Sequence, residues 1–411
     1  MKKIVIIGGG PAGLKAALTA ASRYKDKAEI CIMEKNERFG RKLMITGKGR
    51  CNVTNNCDLD TLIANVPKNG RFLYSAFSSF LPEDTMKYFE TMGVTLKTER
   101  GNRVFPQSDK AVDIVDALVK GLKPLGIKQI HAKAKSIKIK GEKVAGVELE
   151  DGQVIEADSV VLATGGMSYP VTGSTGDGYR MAKDLGHTVT ELKPSLVPLN
   201  CHEGFCSRLA GLSLKHVTLS VFEGDKKKPI FKEMGEMLFT HFGISGPLVL
   251  SASAYLKKMG KAKYKAVIDL KPALTLEQLD KRILRDFENE KNKDFANSLD
   301  ALLPKSIIPV IIERSGIAPR EKVNQISREQ RTDLCRAIKE FTLNITGFRP
   351  IEEAIITSGG ISVKEINPST MESKLIRGLF FAGEIIDVDA FTGGFNLQIA
   401  FSTGYLAGEN V

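Results

Sequence analysis

The sequence has no tryptophan, only five histidines, no long apolar run and no paired cysteine motif. The first two say little; the last two each remove a class of function. The six cysteines contain no C-x-x-C spacing, which argues against a structural zinc site. Cys201 and Cys206 do form C-x4-C, a spacing found in flavin disulfide reductases, but there it lies early in the flavin domain. The thiols are expected to be reduced and structural. No stretch approaches the roughly 18 apolar residues of a membrane span. The opening run Ile4 to Ile7 ends in three glycines, too soon for a secretory leader, so the expected compartment is the cytoplasm. No Ser-His-Asp arrangement, carboxylate pair or metal-ligand cluster stands out, and no metal is expected.

What is abundant is positive charge. Against 48 acidic residues stand 59 lysines and arginines, a net charge of +11 over 411 residues. Lysines cluster at 133–143, 226–228 and 257–265. Such runs are ordinarily solvated faces, but a basic excess also suits a polyanionic partner such as RNA.

The first motif is "KIVIIGGGPAGLKAALTAASRY". Lys3 to Ile7 is β-branched and apolar, as in a parallel strand covered on both faces. Gly8, Gly10 and Gly13, with Pro11 and Ala12 between them, form G-x-G-x-x-G. Leu14, Ala17, Leu18 and Ala21 then recur at helical spacing. The glycines permit a tight turn and close approach to a pyrophosphate, and the helix N-terminus supplies N–H groups for its charge. A second strand, "AEICIMEK", ends at Glu34 and Lys35, placing a carboxylate 21 residues after Gly13, where it can accept ribose hydroxyls. Strand, turn, helix and acid together predict a dinucleotide site.

Two later segments decide between FAD and NAD. "ADSVVLATGG" is a further apolar strand ending in Thr164, Gly165 and Gly166. "IRGLFFAGEIIDVDAFTGGFNLQIAFSTGYLAGE" contains a strand, Gly383, Glu384 and Asp387, then Gly393 and Gly394 opening a helix at Phe395, Asn396 and Leu397. A helix N-terminus at the pyrimidine edge of a flavin favours the negative charge of its reduced form, and an acid ahead of it can hold the ribitol hydroxyls. No second G-x-G-x-x-G provides a separate nicotinamide domain. The cofactor is therefore expected to be FAD.

GGGPAG, "GRKLMITGKGRCNVTN" (40–55), "NRVFPQSDKA" (102–111), "GEMLFTHFGISGP" (235–247), "TSGGI" (357–361) and the terminal segment, in this order, resemble the BaiN-like or aminoacetone-oxidase-like FAD-binding flavoproteins of bacteria. The resemblance spans nearly the whole chain. It implies an α/β fold: a Rossmann-like FAD-binding domain, split in sequence, with an inserted β-barrel-like domain and a small helical domain. The implied activities diverge: reduction of a conjugated steroid enone, oxidation of aminoacetone, or formation of dihydrouridine in ribosomal RNA.

The residues themselves agree with an insertion. The βα rhythm stops after residue 192, and "HVTLSVFE" and "KYKAVIDL" are β-rich runs. "LTLEQLDKRILRDFEN" has helical period, with Leu276, Leu279, Ile283 and Phe287 on one stripe and Thr275 and Gln278 as a capping box. "SREQRTDLCRAIKEF" repeats the device with Ser327 and Gln330, its stripe being Leu334, Ile338 and Phe341. The expected domains are 1–192 with 352–411 (flavin), 193–272 with 343–351 (barrel) and 273–342 (helical). Residues 59–125 read as mostly helical decoration.

Following Glu34 closely, the 40–55 segment has four cations and no carboxylate, and is expected beside the cofactor. Arg41 and Lys42 would face its phosphates, Gly47 and Gly49 allow close approach, and Asn52 can reach the ring or ribitol. The expected reaction passes hydride from NAD(P)H, a transient donor, through the flavin to a polarised C=C. That also takes a proton, for which His241, Cys51 and Tyr169 are the candidate acids. The substrate is uracil in ribosomal RNA or a small conjugated ketone. Alternatives are an amine oxidase that makes hydrogen peroxide, or a flavin-containing RNA-binding protein without turnover. No stable protein partner and no membrane association are expected.

Overall fold

A computed structural model describes residues 1–411. The chain forms two units, Met1–Ser195 with Ile351–Val411, and Leu196–Pro350.

The first unit is built on a five-stranded parallel sheet. Strand β1 (Lys2–Ile7) lies between β2 (Ala28–Glu34) and the strand Ser159–Leu162; Lys128–His131 and Leu379–Phe381 form the edges. Ile4 to Ile7 are all buried, which explains an apolar run without alternation. Helix α1 (Pro11–Tyr24) follows the glycine turn, with Pro11 pre-set for its first turn. The terminal helix, Phe395–Asn410, packs along α1 at small residues. A Cβ on Gly404 would stand 2.4 Å from the Ala12 carbonyl oxygen, and one on Gly408 2.6 Å from that of Ala16. Those two glycines set how closely the chain's last element lies against its first helix.

Residues 59–125 hold four helices longer than one turn of 3-10 geometry, Leu59–Ala64, Tyr74–Ser79, Pro82–Thr91 and Ala111–Lys120. They also hold the strands Leu96–Glu99 and Arg103–Pro106, which pair with each other and with Thr54–Asn55. These strands are too short to reveal a period of two.

The second unit contains a closed antiparallel barrel of six strands, in the order Leu199–Cys201, Gly243–Ser245, Phe231–Thr240, Ser213–Glu223, Tyr264–Asp269 and Phe341–Phe348. Helices Leu276–Asn289 and Arg328–Lys339 both open on the predicted capping boxes, each joining a hydroxyl to an N–H and an amide back to the cap. Such a cap stabilises a helix by about 1 kcal/mol. Two stripe assignments need correction. Leu276 is 48% exposed, because it occupies the first helical position ahead of the buried Leu279, Ile283 and Phe287. Phe341 opens the last barrel strand, since the preceding helix ends at Lys339. Barrel and helices share one continuous apolar core, so the expected barrel and helical regions are one unit.

Candidate functional site

The glycine turn is shaped by close backbone approach. Gly8 has φ +110°, and a Cβ there would meet the Ala163 carbonyl oxygen at 2.4 Å. A Cβ on Gly13 would meet the Gly8 carbonyl oxygen at 1.9 Å, whereas Gly10 faces open space within 4 Å. The first intrahelical bond of α1 runs from Leu14 N–H to the Gly10 carbonyl, leaving the Ala12 and Gly13 N–H groups of the first turn directed outward. Glu34 closes one side. Its carboxylate accepts the Gly9 N–H at 2.9 Å and the Asn36 N–H and Nδ2 at 2.9 and 2.7 Å. A carboxylate offers about four acceptor positions, so capacity for a ribose hydroxyl remains. Lys35 is turned aside and pairs with Asp177 at 2.6 Å. A cleft here is lined by Gly8, Met33, Glu34, Lys35 and Thr164, among others.

The 40–55 segment comes next to this turn: Gly40 N–H donates to the Gly9 carbonyl at 2.9 Å. Lys42, in the short helix Arg41–Ile45, extends Nζ to Glu384 Oε2 at 2.8 Å and Ser168 Oγ at 2.7 Å. The Arg41 guanidinium is exposed and donates to Asn36 Oδ1 at 3.0 Å. In this arrangement only Lys42 is paired with a carboxylate, and the Arg41 guanidinium keeps its charge. Lys42 is neutralised by Glu384, and Arg41 stays at the Asn36 rim. Gly47, Lys48 and Cys51 all take left-handed φ values near +58°, which coil the segment back on itself. Gly49 faces open space. Asn52 has a buried Oδ1 without a hydrogen-bond partner.

Thr357, from "TSGGI", ties the next two loops together. Its Oγ1 accepts the Met167 and Ser168 N–H groups at 2.8 and 3.2 Å, and its own N–H donates to Glu384 Oε1 at 2.8 Å. A Cβ on Gly166 would stand 2.4 Å from that same Oγ1, so Gly166 admits the contact; Gly165 beside it turns with φ +73°. Thr164 Oγ1 is buried without a partner. Tyr169 follows in a left-handed conformation at φ +51°, half-buried, and burial raises its phenol above the ordinary value.

In the terminal segment Gly383 N–H donates to Thr403 Oγ1 at 2.9 Å. Asp387 is 3% exposed and accepts Lys68 Nζ at 2.6 Å, while its carbonyl accepts Asn69 Nδ2 at 2.7 Å. Asp389, also buried, accepts the hydroxyls of Ser195 and Ser358 at 3.2 and 2.9 Å; burial raises its carboxyl and those two hydrogen bonds lower it. Gly394 lies so close to the Thr54 carbonyl oxygen that a Cβ would reach 2.3 Å. The terminal helix starts immediately after. Its first intrahelical bond is Gln398 N–H to the Gly394 carbonyl, so the N–H groups of Phe395, Asn396 and Leu397 have no intrahelical acceptor. The Asn396 side chain turns back onto the main chain of Ala390. Gln398, fully buried, takes the Thr54 and Thr85 hydroxyls and gives its amide to Phe80 and Ser402, which fixes the helix start.

Four segments distant in sequence thus converge in one unit: the glycine turn, 40–52, 164–169 and 383–397. Two candidate acids stand differently. Cys51 has no exposed surface, and burial pushes its thiol up to about 12. His241 is exposed on the turn between two barrel strands of the other unit, its ring against Phe242.

A family model for the HI0933-like protein Rossmann domain matches residues 2–410. The chain belongs to this family. Among curated relatives, it is 32% identical to the 3-dehydro-bile acid delta(4,6)-reductase of Clostridium scindens, over 100% of this chain and 98% of that protein. It is also 32% identical to the ribosomal RNA dihydrouridine synthase of Haemophilus influenzae, over 98% and 96%. The protein of the same name from Escherichia coli is 26% identical over 99% and 97%. Among solved structures, a 3-ketosteroid delta1-dehydrogenase from Sterolibacterium denitrificans shares the fold at a TM-score of 0.52 and 13% identity, covering 99% of both chains. The fold is therefore the Rossmann-type FAD-binding fold, and the chain is an FAD-dependent oxidoreductase.

The residues present fit that cofactor. Asn52 Oδ1 and Thr164 Oγ1 are buried polar atoms awaiting a partner, and the open face of Gly10 leaves a cradle at a helix N-terminus. The α1 N-terminus would hold the pyrophosphate, Glu34 the adenosine ribose, Glu384 the ribitol side and the terminal-helix N–H groups the ring. Sequence reasoning missed Lys68, Ser168, Thr357, Asp389 and Gln398. Thr357, Asp389 and Gln398 lie inside quoted motifs, whereas Lys68 and Ser168 carried no local signal.

Proposed function

We propose that this protein reduces a C=C bond conjugated to a carbonyl, with NAD(P)H as electron source and uracil in ribosomal RNA as substrate. When bound, FAD supplies the hydride acceptor and donor. The observation that carries the redox class is the start of the terminal helix. Three N–H groups without intrahelical acceptors, held by the buried Gln398 network, would stabilise negative charge on a bound flavin ring. The remaining requirement is a proton for the carbon beside the carbonyl. Tyr169 meets it best among the three candidates. A phenol is protonated at neutral pH, and Tyr169 follows directly on the Thr164 to Ser168 loop. Cys51 has no exposed surface to meet a substrate.

Uracil and a 3-keto-diene present the same reacting group, so similarity to both kinds of relative favours the shared chemistry. The net charge of +11 favours RNA over a bile acid. The small-ketone reading is supported by the reductase relative that matches the chain end to end.

Rapid anaerobic mixing tests the redox class. NADH or NADPH is expected to bleach the bound flavin, and addition of the substrate to restore its colour. A Tyr169→Phe protein should keep the first phase and slow the second by about 100-fold or more, the size of a general-acid contribution. Failure of both nucleotides to bleach the flavin, with peroxide formed from an amine in air, would establish an oxidase instead.

A further inference from the structure

Two lysine runs distant in sequence meet at one end of the barrel. Residues 224–230 join the strands Ser213–Glu223 and Phe231–Thr240, and residues 257–263 lead into Tyr264–Asp269. The two turns are bonded directly: Gly224 N–H donates to the Lys263 carbonyl at 2.8 Å, and Glu223 pairs with Tyr264 in the strand register. Lys226, Lys227, Lys228, Lys257, Lys258, Lys261, Lys263 and Lys265 are all exposed there. Lys226 and Lys258, one from each turn, converge on the same Glu223 Oε1 at 3.2 and 3.1 Å. That carboxylate and Asp225 are the acidic residues of the two turns, so six positive charges stand in excess. Folding alone gives no reason to hold so many ammonium groups together, because like charges at this spacing repel.

We propose that this barrel end is a docking surface for the phosphate backbone of RNA. The proposal rests on the RNA reading of the substrate. Its chemistry is specific in one respect: the exposed groups are ammonium ions, while the aromatic side chains nearby are withdrawn, Tyr264 buried and Phe222 half-buried. No aromatic ring is fully exposed among these lysines, so the contact offered is with phosphates regardless of sequence. The same withdrawal disfavours an anionic membrane. Surface-bound proteins insert large apolar side chains beside their lysines, and these two turns expose none. Selection of one uracil is then left to the flavin-bearing unit, and the lysines supply affinity.

The test uses the full-length flavoprotein and a fluorescein-labelled 20-nucleotide RNA hairpin with a uridine-rich loop. Anisotropy is read between 50 and 300 mM KCl for the wild type and for Lys227→Gln/Lys228→Gln/Lys261→Gln/Lys263→Gln. The variant is expected to bind at least 10-fold more weakly at low salt, with the log–log salt slope reduced by up to about 3, near 0.7 per lost phosphate contact. Binding to a hairpin of scrambled sequence should fall equally. Flavin content, melting temperature and flavin bleaching by NADPH should be unchanged, which separates a lost surface from a damaged fold. Equal affinity and slope for variant and wild type would overturn the proposal, as would no RNA binding by the wild type. Loss of binding to phosphatidylserine vesicles with RNA binding retained would reassign the surface to membranes. Failure of the RNA reading itself appears elsewhere, as ribosomal RNA whose dihydrouridine does not depend on this protein.

Discussion

Lys15 sits in the middle of α1 and is only 3% exposed. Its ammonium lies 3.4 Å from the Tyr88 ring centroid and 4.0 Å from that of Phe80, with Tyr405 at 5.2 Å. Burial pulls it from 10.5 down to about 7, while the ring faces favour the cation. A lysine that resists protonation when folded costs stability as pH falls from about 10 to about 7, and the cost is constant below that. Lys15→Met should therefore stabilise the protein by about 2 kcal/mol below pH 7, the desolvation cost less the cation–π gain. The gain should fade towards pH 10, as read by chemical denaturation at each pH. A gain that grows with pH would contradict this account. At this scale the sequence was legible where chemistry is local. Glu34 follows from its distance to Gly13, but the ties from Lys68 to Asp387 and from Lys42 to Glu384 join residues more than three hundred positions apart. No spacing rule reaches across that gap.

Among elements, the terminal helix is the one on which both ends of the site depend. Its Gly404 would gain about 1 kcal/mol of helix propensity as alanine. The added Cβ would collide with the Ala12 carbonyl at 2.4 Å, and backbone cannot turn aside as a side chain can. Overpacking of that kind costs about 1–3 kcal/mol, so the collision wins. Gly404→Ala is expected to lower the melting temperature and, because Ala12 belongs to the phosphate cradle, to release FAD during gel filtration. An unchanged melt with full flavin content would refute the close-packing role. Long elements with strong period or caps, such as β1, α1 and the two capped helices, were readable in the sequence. The short strands at 54–55, 96–99 and 103–106 were not, because two to four residues carry too little pattern, and tertiary pairing made them.

At the level of the whole molecule, the order of motifs carried more than any one of them. A glycine fingerprint at the start and a helix-opening Gly-Gly near the end belong to one unit, with the chain from Leu196 to Pro350 forming another between them. That interruption was visible as a loss of βα rhythm, although the sharing of one core by barrel and helices was not, since apolar stripes do not name their partners. No helix is long and apolar enough to cross a membrane. The family and the fold establish an FAD-dependent oxidoreductase; the RNA substrate is the central claim that remains open to direct measurement. That measurement is mass spectrometry of ribosomal RNA from cells with and without the gene for this protein. Loss of a ribosomal dihydrouridine on deletion, restored by the wild-type protein, is the predicted result. Unchanged dihydrouridine would contradict it.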